Sequence, residues 1–276
     1  MDNLTYSLLD LNLPDELNNL SKVIRYSQSI LEELTQMNSI HYEELTIITL
    51  YRKLIETADG VFVLADYRLE SPSISVARAA YEVFLQLDFM FKDEKDINRK
   101  ALSYYSTWLF EEVLFINKQL LVKDPLLPRE TLILKRQMNN KLLDAEFISF
   151  KKEIVRTMRK LGIKYPPKWY SLYNGPSSLS ELSKKTSLKG VHSILYKGMS
   201  AEAHGLKAIT NLSNPNHNLL LAPIRSTEIP LMPVHLVRSF LTNTTNKIIN
   251  KYLQNQIAEF KEFVFTLFGE SLDENS

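Results

Sequence analysis

Apolar and polar residues follow one another along most of the chain with the period of an α-helix. Apolar side chains recur three and four positions apart, which is the spacing that places them on one face of a helix. Segments with this pattern occupy approximately residues 14–37, 40–69, 72–91, 93–122, 129–161 and 233–268. The pattern predicts an all-α protein, a multi-helix bundle that closes with a long C-terminal helix over about 233–268.

Turn-forming residues separate these segments. Ser71 and Pro72 suit a helix cap and the first helical position, and Gly162 suits the position just after a helix. Prolines, serines and a glycine between about 162 and 178 predict a long loop region. No internal repeat of fixed period is visible, so we expect a single helical domain over residues 1–276 rather than a solenoid.

Composition narrows the class of protein. The 276 residues are 45% hydrophobic and 24% charged, as in ordinary globular proteins. The low count of 7 glycines argues against sheet-rich folds and Gly-rich phosphate loops, and the lack of cysteine excludes disulfides and thiol nucleophiles. The N-terminus lacks the basic and apolar regions of a signal peptide, and no apolar run reaches the roughly 18 residues of a membrane span. We therefore expect a cytoplasmic protein with no membrane partner.

Charge is unevenly distributed along the chain. The segment from Lys151 to Lys197 holds eleven Lys and Arg residues against two acidic ones, a net charge of +9, although the whole chain carries only +1. Such a segment attracts RNA, a nucleotide or phosphate, and interleaved aromatic residues such as Trp169 can stack on bases. Alternatively, the lysines lie on solvated helix faces, and the aromatic residues attach a long loop to the core.

One apolar helix, about residues 72–91, carries an unexpected pair of charges. Arg78 and Glu82 lie four residues apart and therefore share a face, which Ser75 and Gln86 extend. Either an intrahelical salt bridge within a bundle core or exposure of one side of the helix to solvent explains this pair. In a functional interpretation, Arg78 presents its guanidinium to an anion and Glu82 orients it.

A second polar line follows in the segment 189–205. His192, Tyr196, Ser200 and His204 recur every four residues, which keeps near neighbours on one helix face. Histidine titrates near neutral pH and transfers protons readily, although a lone helical histidine is more often structural.

Other kinds of site lack their signatures. The chain has no His-Glu-x-x-His zinc motif, no Walker or G-x-G-x-x-G loop, and no G-x-S-x-G elbow. The five histidines are mostly scattered, so the sequence predicts no metal site and no cofactor.

Two stretches resemble a bacterial helical family of unknown function. The stretch "SVARAAYEVFLQLDFMFKDE" resembles a motif helix with Arg-x-x-x-Glu, here Arg78 and Glu82. The later stretch "WYSLYNGPSSLSELSKKTSLKGVHSILYKGMSAEAHG" resembles a region that ends in Tyr-x-x-x-Ser-x-x-x-His-Gly. The resemblance covers roughly residues 40–210, and its motif positions are Trp169, Tyr196, Ser200, His204 and Gly205.

More distantly, the chain is similar to HEPN-type helical bundles. Many of these are metal-independent ribonucleases of toxin–antitoxin and antiphage systems, with an Arg-x4–6-His motif. In them the Arg holds the phosphate and the His moves protons during attack by the 2′-hydroxyl. This chain departs from that motif, since Lys197, and not an arginine, precedes His204 at the required distance.

The sequence leaves two functional hypotheses open. In the first, the protein acts on RNA or a nucleotide as a metal-independent endoribonuclease, a toxin or an antiphage defence effector. In this hypothesis His204 is the catalytic acid–base group, and the catalytic Arg78, which Glu82 orients, contacts the phosphate. Lys197, Ser200, Tyr196 and Trp169 form the substrate pocket, in which Lys197 is a second phosphate contact. In the second, Arg78, Glu82 and His204 form a structural polar network in a non-catalytic helical module that binds a protein or small ligand.

Either hypothesis is compatible with a homodimer or with a partner protein from a defence system. The C-terminal helix offers an apolar face to a second copy of the chain, formed by Phe260, Phe263, Val264 and Leu267.

Overall fold

The computed structural model confirms the all-α architecture. It describes residues 14–37, 40–121, 129–203, 208, 212–213 and 220–269. The helices in these ranges are α1 (Asp15–Thr35), α2 (Tyr42–Asp66), α3 (Glu70–Phe91), α4 (Ile97–Leu121), α5 (Arg129–Lys141), α6 (Ala145–Leu161), α7 (Leu179–Ser183), α8 (His192–Ala203), α9 (Leu231–Tyr252) and α10 (Ile257–Phe268). Short 3-10 segments occupy Glu94–Asp96, Trp169–Asn174 and Gln254–Gln256.

Extended structure in the described ranges is a minor feature. Strand β1 (Leu212–Ser213) pairs antiparallel with β2 (Leu220–Leu221), with Leu212 opposite Leu221. Among the described helices, none combines the length and the apolar character that a membrane crossing requires.

Several helix ends follow from local residues. Gly162 and Gly269 have φ values of 64° and 65°, as expected of glycines that follow a helix in the left-handed conformation. Helix α3, however, begins at Glu70, before the predicted cap at Ser71. Arg68 adopts a φ of 57°, and the resulting tight turn allows the helix to start early, with Pro72 tolerated in its first turn.

The C-terminal helical segment is interrupted once. Leu253, with φ −133° and ψ 54°, separates α9 from a 3-10 turn and α10. Phe260 and Val264 of α10 are buried, and Phe263 stacks on Tyr26 of α1 with ring centroids 4.4 Å apart. Part of the apolar face considered for a dimer is thus covered within one chain, and homodimerisation stays a prediction.

The chain divides into two compact units. Unit 1 comprises the described residues of Met1–Asn38, Ile48–Asp88 and Thr186–Ser276, and unit 2 those of Ser39–Ile47 and Phe89–Lys185. The single helical domain over residues 1–276 stays a prediction.

In unit 1, α1 packs along α9. Their interface contains a small buried hydroxyl network, in which Thr245 Oγ1 lies 3.0 Å from Ser27 Oγ and 2.8 Å from the hydroxyl of Tyr51. On the same two helices, apolar side chains such as Leu20 and Val237 are inaccessible to solvent. Because buried hydroxyls are costly without partners, the network fixes how the three helices meet.

In unit 2, α4 is the central helix, and α5, α6 and the 3-10 segment Trp169–Asn174 pack on it. Phe147 of α6 is fully buried between aromatic rings, with Tyr42 at 5.1 Å and Tyr105 at 5.6 Å between centroids. This aromatic packing holds the region that precedes the 162–178 loop.

Candidate functional site

In unit 1, the charged pair of α3 meets the polar line of α8. Arg78 Nη2 donates a hydrogen bond of 2.9 Å to the Tyr196 hydroxyl and lies 3.2 Å from Glu82 Oε1. The guanidinium carbon also lies 5.0 Å from the centroid of the Tyr196 ring, within the range of a cation–π contact. The intrahelical pair predicted from the sequence is therefore formed, and α8 supplies a further partner.

The Arg78 guanidinium is only partly enclosed. Its side chain is 21% exposed and that of Glu82 38% exposed, so one side of the pair reaches solvent. The hydrogen bond to Tyr196 and the ion pair with Glu82 both use Nη2, and among the described residues no acceptor pairs with the buried Nε. Since a guanidinium carries five N–H donors, Arg78 keeps donor capacity for an anion.

A buried histidine adjoins this group. The hydroxyl of Tyr81 lies 2.5 Å from His192 Nδ1, and the His192 ring stacks on Tyr196 at 5.1 Å between centroids. His192 is only 8% exposed, and its burial lowers its pKa, while burial raises the pKa of the Tyr81 phenol. Both groups are thus neutral at pH 7, and the hydrogen bond joins the Tyr81 hydroxyl to Nδ1 of the imidazole.

The other predicted site residues fall in different places. Lys197 is exposed and Ser200 is half-buried, both on α8 in unit 1. His204 and Gly205 lie outside the described residues. Trp169 belongs to unit 2.

One buried charge in unit 1 escaped the sequence analysis. Asp88 of α3 is buried, forms an ion pair through Oδ1 with Lys247 of α9, and accepts hydrogen bonds through Oδ2 from the backbone N–H (2.7 Å) and hydroxyl (3.0 Å) of Ser187. The sequence contained a signal for this ion pair, because an acidic residue in so apolar a helix requires a partner. Both oxygens of the Asp88 carboxylate have partners, and the carboxylate connects α3, α9 and the residues just before α8.

Unit 2 contains a cleft of about 470 Å³ lined by cations and aromatic rings. Its cationic residues are Lys92, Arg99, Lys100 and Lys185, its acidic residues are Asp93 and Asp96, and its rings are Phe89, Trp169, Tyr170 and Tyr173. The ionisable side chains therefore carry an excess of two positive charges. Lys185 belongs to the basic segment recognised in the sequence, whereas the first three cations come from the end of α3 and the start of α4.

Two of the cations are fixed against the wall of the cleft. Arg99 pairs with Asp96 at 2.6 Å and lies 5.1 Å from the centroid of the Tyr173 ring. Lys100 Nζ donates to the Phe89 carbonyl at 2.8 Å, and its partial burial lowers its pKa. Both side chains are thereby held in one place.

Trp169 forms the inner wall of this cleft. It is 6% exposed and contacts the rings of Phe89, Tyr104 and Tyr170 at centroid distances of 5.7–5.9 Å. These contacts attach the loop to the core of unit 2, which matches the structural alternative considered for the aromatic residues of this segment.

The backbone around the cleft adopts a special conformation. Tyr173 and Asn174 have φ values of 56° and 59°, in the left-handed region that ordinary residues rarely adopt. Glu153 Oε1 accepts the backbone N–H of Tyr173 at 2.9 Å, and Lys160 Nζ donates to the Asn174 side chain at 2.8 Å. Despite its burial, Glu153 has a lowered pKa because Arg156, Tyr173 and Thr157 all donate to it. A fixed carboxylate therefore holds the turn.

Across the ranges that the structure describes, no three His, Asp or Glu side chains converge in a way that could hold a metal ion.

Comparisons with known proteins place the chain in a family but give no activity. A search of curated proteins found no match, and neither did a search of solved structures. A family model described as a family of unknown function, DUF5677, matches residues 44–218. That range includes both motif-bearing helices, α3 and α8, and spans more than half of the chain. The chain therefore belongs to the DUF5677 family of unknown function.

Proposed function

We propose that this protein is a cytoplasmic, metal-independent ribonuclease of HEPN-like type that acts on RNA or a nucleotide as a toxin or antiphage effector. The observation that supports the proposal is the partly exposed Arg78 guanidinium, held by Tyr196 and Glu82 and retaining unused donors. A fixed cation of this kind stabilises the charge that develops on a phosphoryl group during cleavage.

In the proposed reaction, Arg78 and Lys197 contact the phosphate. His204 accepts the proton of the 2′-hydroxyl as the 2′-oxygen bonds to phosphorus. The bond from phosphorus to the 5′-oxygen breaks, and that oxygen takes a proton from the protonated histidine or from water. The products are a 2′,3′-cyclic phosphate and a 5′-hydroxyl, and Glu82 keeps Arg78 oriented throughout.

The test is cleavage of a defined RNA oligonucleotide in EDTA by the full-length wild type and by His204→Ala. His41→Ala is a matched control, because His41 is an exposed histidine far from α8 in sequence. Removal of a proton-transfer group is expected to lower the rate about 10²–10⁴-fold, and the control is expected to keep the wild-type rate. Circular dichroism checks that His204→Ala is folded. If the folded variant cleaves the RNA as fast as wild type, the catalytic assignment is wrong.

A second function is favoured by a specific observation on α8. His192 is buried, neutral and bonded to Tyr81, so the neighbourhood of Arg78 also has the chemistry of a satisfied core network. In that case the protein is a non-catalytic helical module, and the Arg78 group holds α3 to α8.

Arg78→Ala and Tyr196→Phe separate the two functions. A structural network predicts that both variants lose thermal stability, Arg78→Ala more than Tyr196→Phe, with no RNA cleavage by any form. The ribonuclease predicts that Arg78→Ala loses cleavage by about 10²-fold or more while it stays folded.

A further inference from the structure

We infer that the cleft of unit 2 binds a nucleoside monophosphate or the equivalent unit of a longer nucleotide, with its phosphate on Lys92 and Lys185 and its base against the tyrosine rings. The proposal goes beyond the ribonuclease, because every residue that carries it lies in unit 2. The proposed role of Arg78 and the proposed role of this cleft can therefore be disproved independently of each other.

The charge of the cleft indicates an anionic ligand. Asp96 is already paired with Arg99, and Asp93 accepts the backbone N–H of Lys95 at 3.2 Å, so both carboxylates have internal partners. Lys92 and Lys185 are exposed, and their ammonium groups form neither a salt bridge nor a hydrogen bond with any residue that the structure describes, while the backbone N–H of Lys185 donates to the Leu182 carbonyl at 2.9 Å. Two ammonium groups at the rim of one cleft are thus available to a phosphate, which they bind as point charges.

The rings indicate that the ligand also has a planar part. Tyr170 and Tyr173 line the cleft at half-buried positions, and Trp169 closes its inner side. Base–aromatic stacking tolerates any base, because every base presents a π-face. Arg99, fixed over one face of Tyr173, adds a flat cation of the kind that stacks on rings.

The size and rigidity of the cleft fit a small ligand. A volume of about 470 Å³ falls within the range of roughly 300–1,000 Å³ that is usual for small-molecule sites. The left-handed turn at Tyr173 and Asn174 and its bond to Glu153 hold one ring of the site in place before any ligand arrives. Such pre-organisation lowers the entropy cost of binding.

The first experiment is calorimetric titration of the full chain with adenosine 5′-monophosphate, adenosine and inorganic phosphate. We expect saturable binding of the monophosphate, and binding at least tenfold weaker for adenosine and for phosphate alone. Absence of saturable binding of the monophosphate overturns the proposal. Phosphate binding as tightly as the nucleotide also overturns it, because the rings would then contribute nothing.

Variants locate the binding. The double variant Lys92→Gln/Lys185→Gln is expected to weaken binding of the monophosphate at least tenfold and to leave the binding of adenosine unchanged. The matched control Lys152→Gln/Lys164→Gln removes two exposed lysines of unit 2 that do not line the cleft, and we expect it to bind as wild type does. If the control pair weakens binding as much as the cleft pair, the effect is one of general charge and the proposed site is wrong.

Tryptophan fluorescence tests the same site with all cleft residues unchanged, so the result does not depend on whether a cleft variant folds. The chain has two tryptophans, so Trp108→Phe leaves Trp169 as the only reporter. We expect adenosine 5′-monophosphate to change the Trp169 emission with the same midpoint as the calorimetric curve. Calorimetric binding without any change in Trp169 emission would place the ligand elsewhere and contradict the proposal.

Discussion

At the scale of single residues, each of three polar groups on the apolar helix α3 has a partner on another element. Arg78 bonds to Tyr196, Tyr81 to His192, and Asp88 to Lys247 and Ser187. Isolated polar groups in such a helix would each cost free energy on burial, so the partners explain why the helix can carry them. Only Arg78 among the three keeps unused donors and partial exposure, and for this reason the proposed reaction centres on it.

The pH dependence of stability tests the Tyr81–His192 bond. Because burial lowers the His192 pKa in the folded protein, the unfolded chain takes up the proton first as pH falls through about 6.5. The stabilisation is therefore complete from about one pH unit above that value and is lost progressively as the pH falls further. Urea denaturation of wild type is expected to show a decrease in the free energy of unfolding between about pH 7.5 and 5.5.

His192→Asn supplies the control, because it removes the titrating ring while retaining a polar amide. All other ionisable groups are common to both proteins, so the difference between their pH profiles reports His192 alone. Identical profiles for wild type and His192→Asn would show that this histidine is not held neutral by the fold.

At the scale of secondary-structure elements, the 3-10 segment Trp169–Asn174 contains two residues with non-helical backbone angles, Leu172 and Tyr173, and yet is firmly held. Gly175 follows it, and a Cβ atom at this position would lie 1.9 Å from the Tyr170 carbonyl oxygen and 3.0 Å from that of Leu172. Both atoms belong to the backbone, so a rotamer change cannot relieve the overlap. The glycine is thus required by close approach of the chain to itself and not by a positive φ.

Gly175→Ala is accordingly expected to destabilise the protein by about 1–3 kcal/mol through this overlap. Gly198→Ala is the matched control. It lies within α8, where no atom apart from the adjacent residues and the nearby backbone of the helix itself lies within 4 Å of an added Cβ atom, so a gain of roughly 0.5–1 kcal/mol is expected from helix propensity. Urea denaturation measures both values, and a loss at Gly175 no larger than the change at Gly198 would contradict the close packing.

At the scale of the whole molecule, the chain forms two compact units, and helices α2 and α3 each contribute residues to both. Two boundaries between the units, 47/48 in α2 and 88/89 in α3, therefore fall within helices, whereas the boundary 185/186 falls between α7 and α8. Continuous helices favour cooperative unfolding, because melting one end of a helix destabilises the other. The single domain predicted from the sequence thus implies one thermal transition for the full chain.

Lys247→Met tests this cooperativity, since it leaves the buried Asp88 carboxylate without its ion-pair partner in unit 1. Breaking a buried pair costs about 3–5 kcal/mol, which corresponds to a fall of roughly 10 °C for a chain of this size. Calorimetry is expected to show one transition, displaced as a whole. The double variant Asp88→Asn/Lys247→Met is expected to recover part of the loss, because it no longer buries an unpaired charge. A second, undisplaced transition would show instead that unit 2 unfolds by itself.

The sequence by itself determined the helical class, most helix limits and the Arg78–Glu82 pair. These features depend on the 3.6-residue period and on residues adjacent in the chain, such as Gly162 after α6. It also marked Tyr196 and Trp169 as residues of interest, and it placed the chain near a helical family of unknown function. A pattern of local spacing is sufficient for conclusions of this kind.

Only the tertiary structure decided which distant residues meet. The contact of Arg78 with Tyr196 spans 118 positions, and that of Asp88 with Lys247 spans 159. The cleft likewise combines the end of α3 and the start of α4 with a loop some 70 residues further on. No periodicity in one sequence encodes such pairings, because they depend on how helices pack and not on how each helix forms.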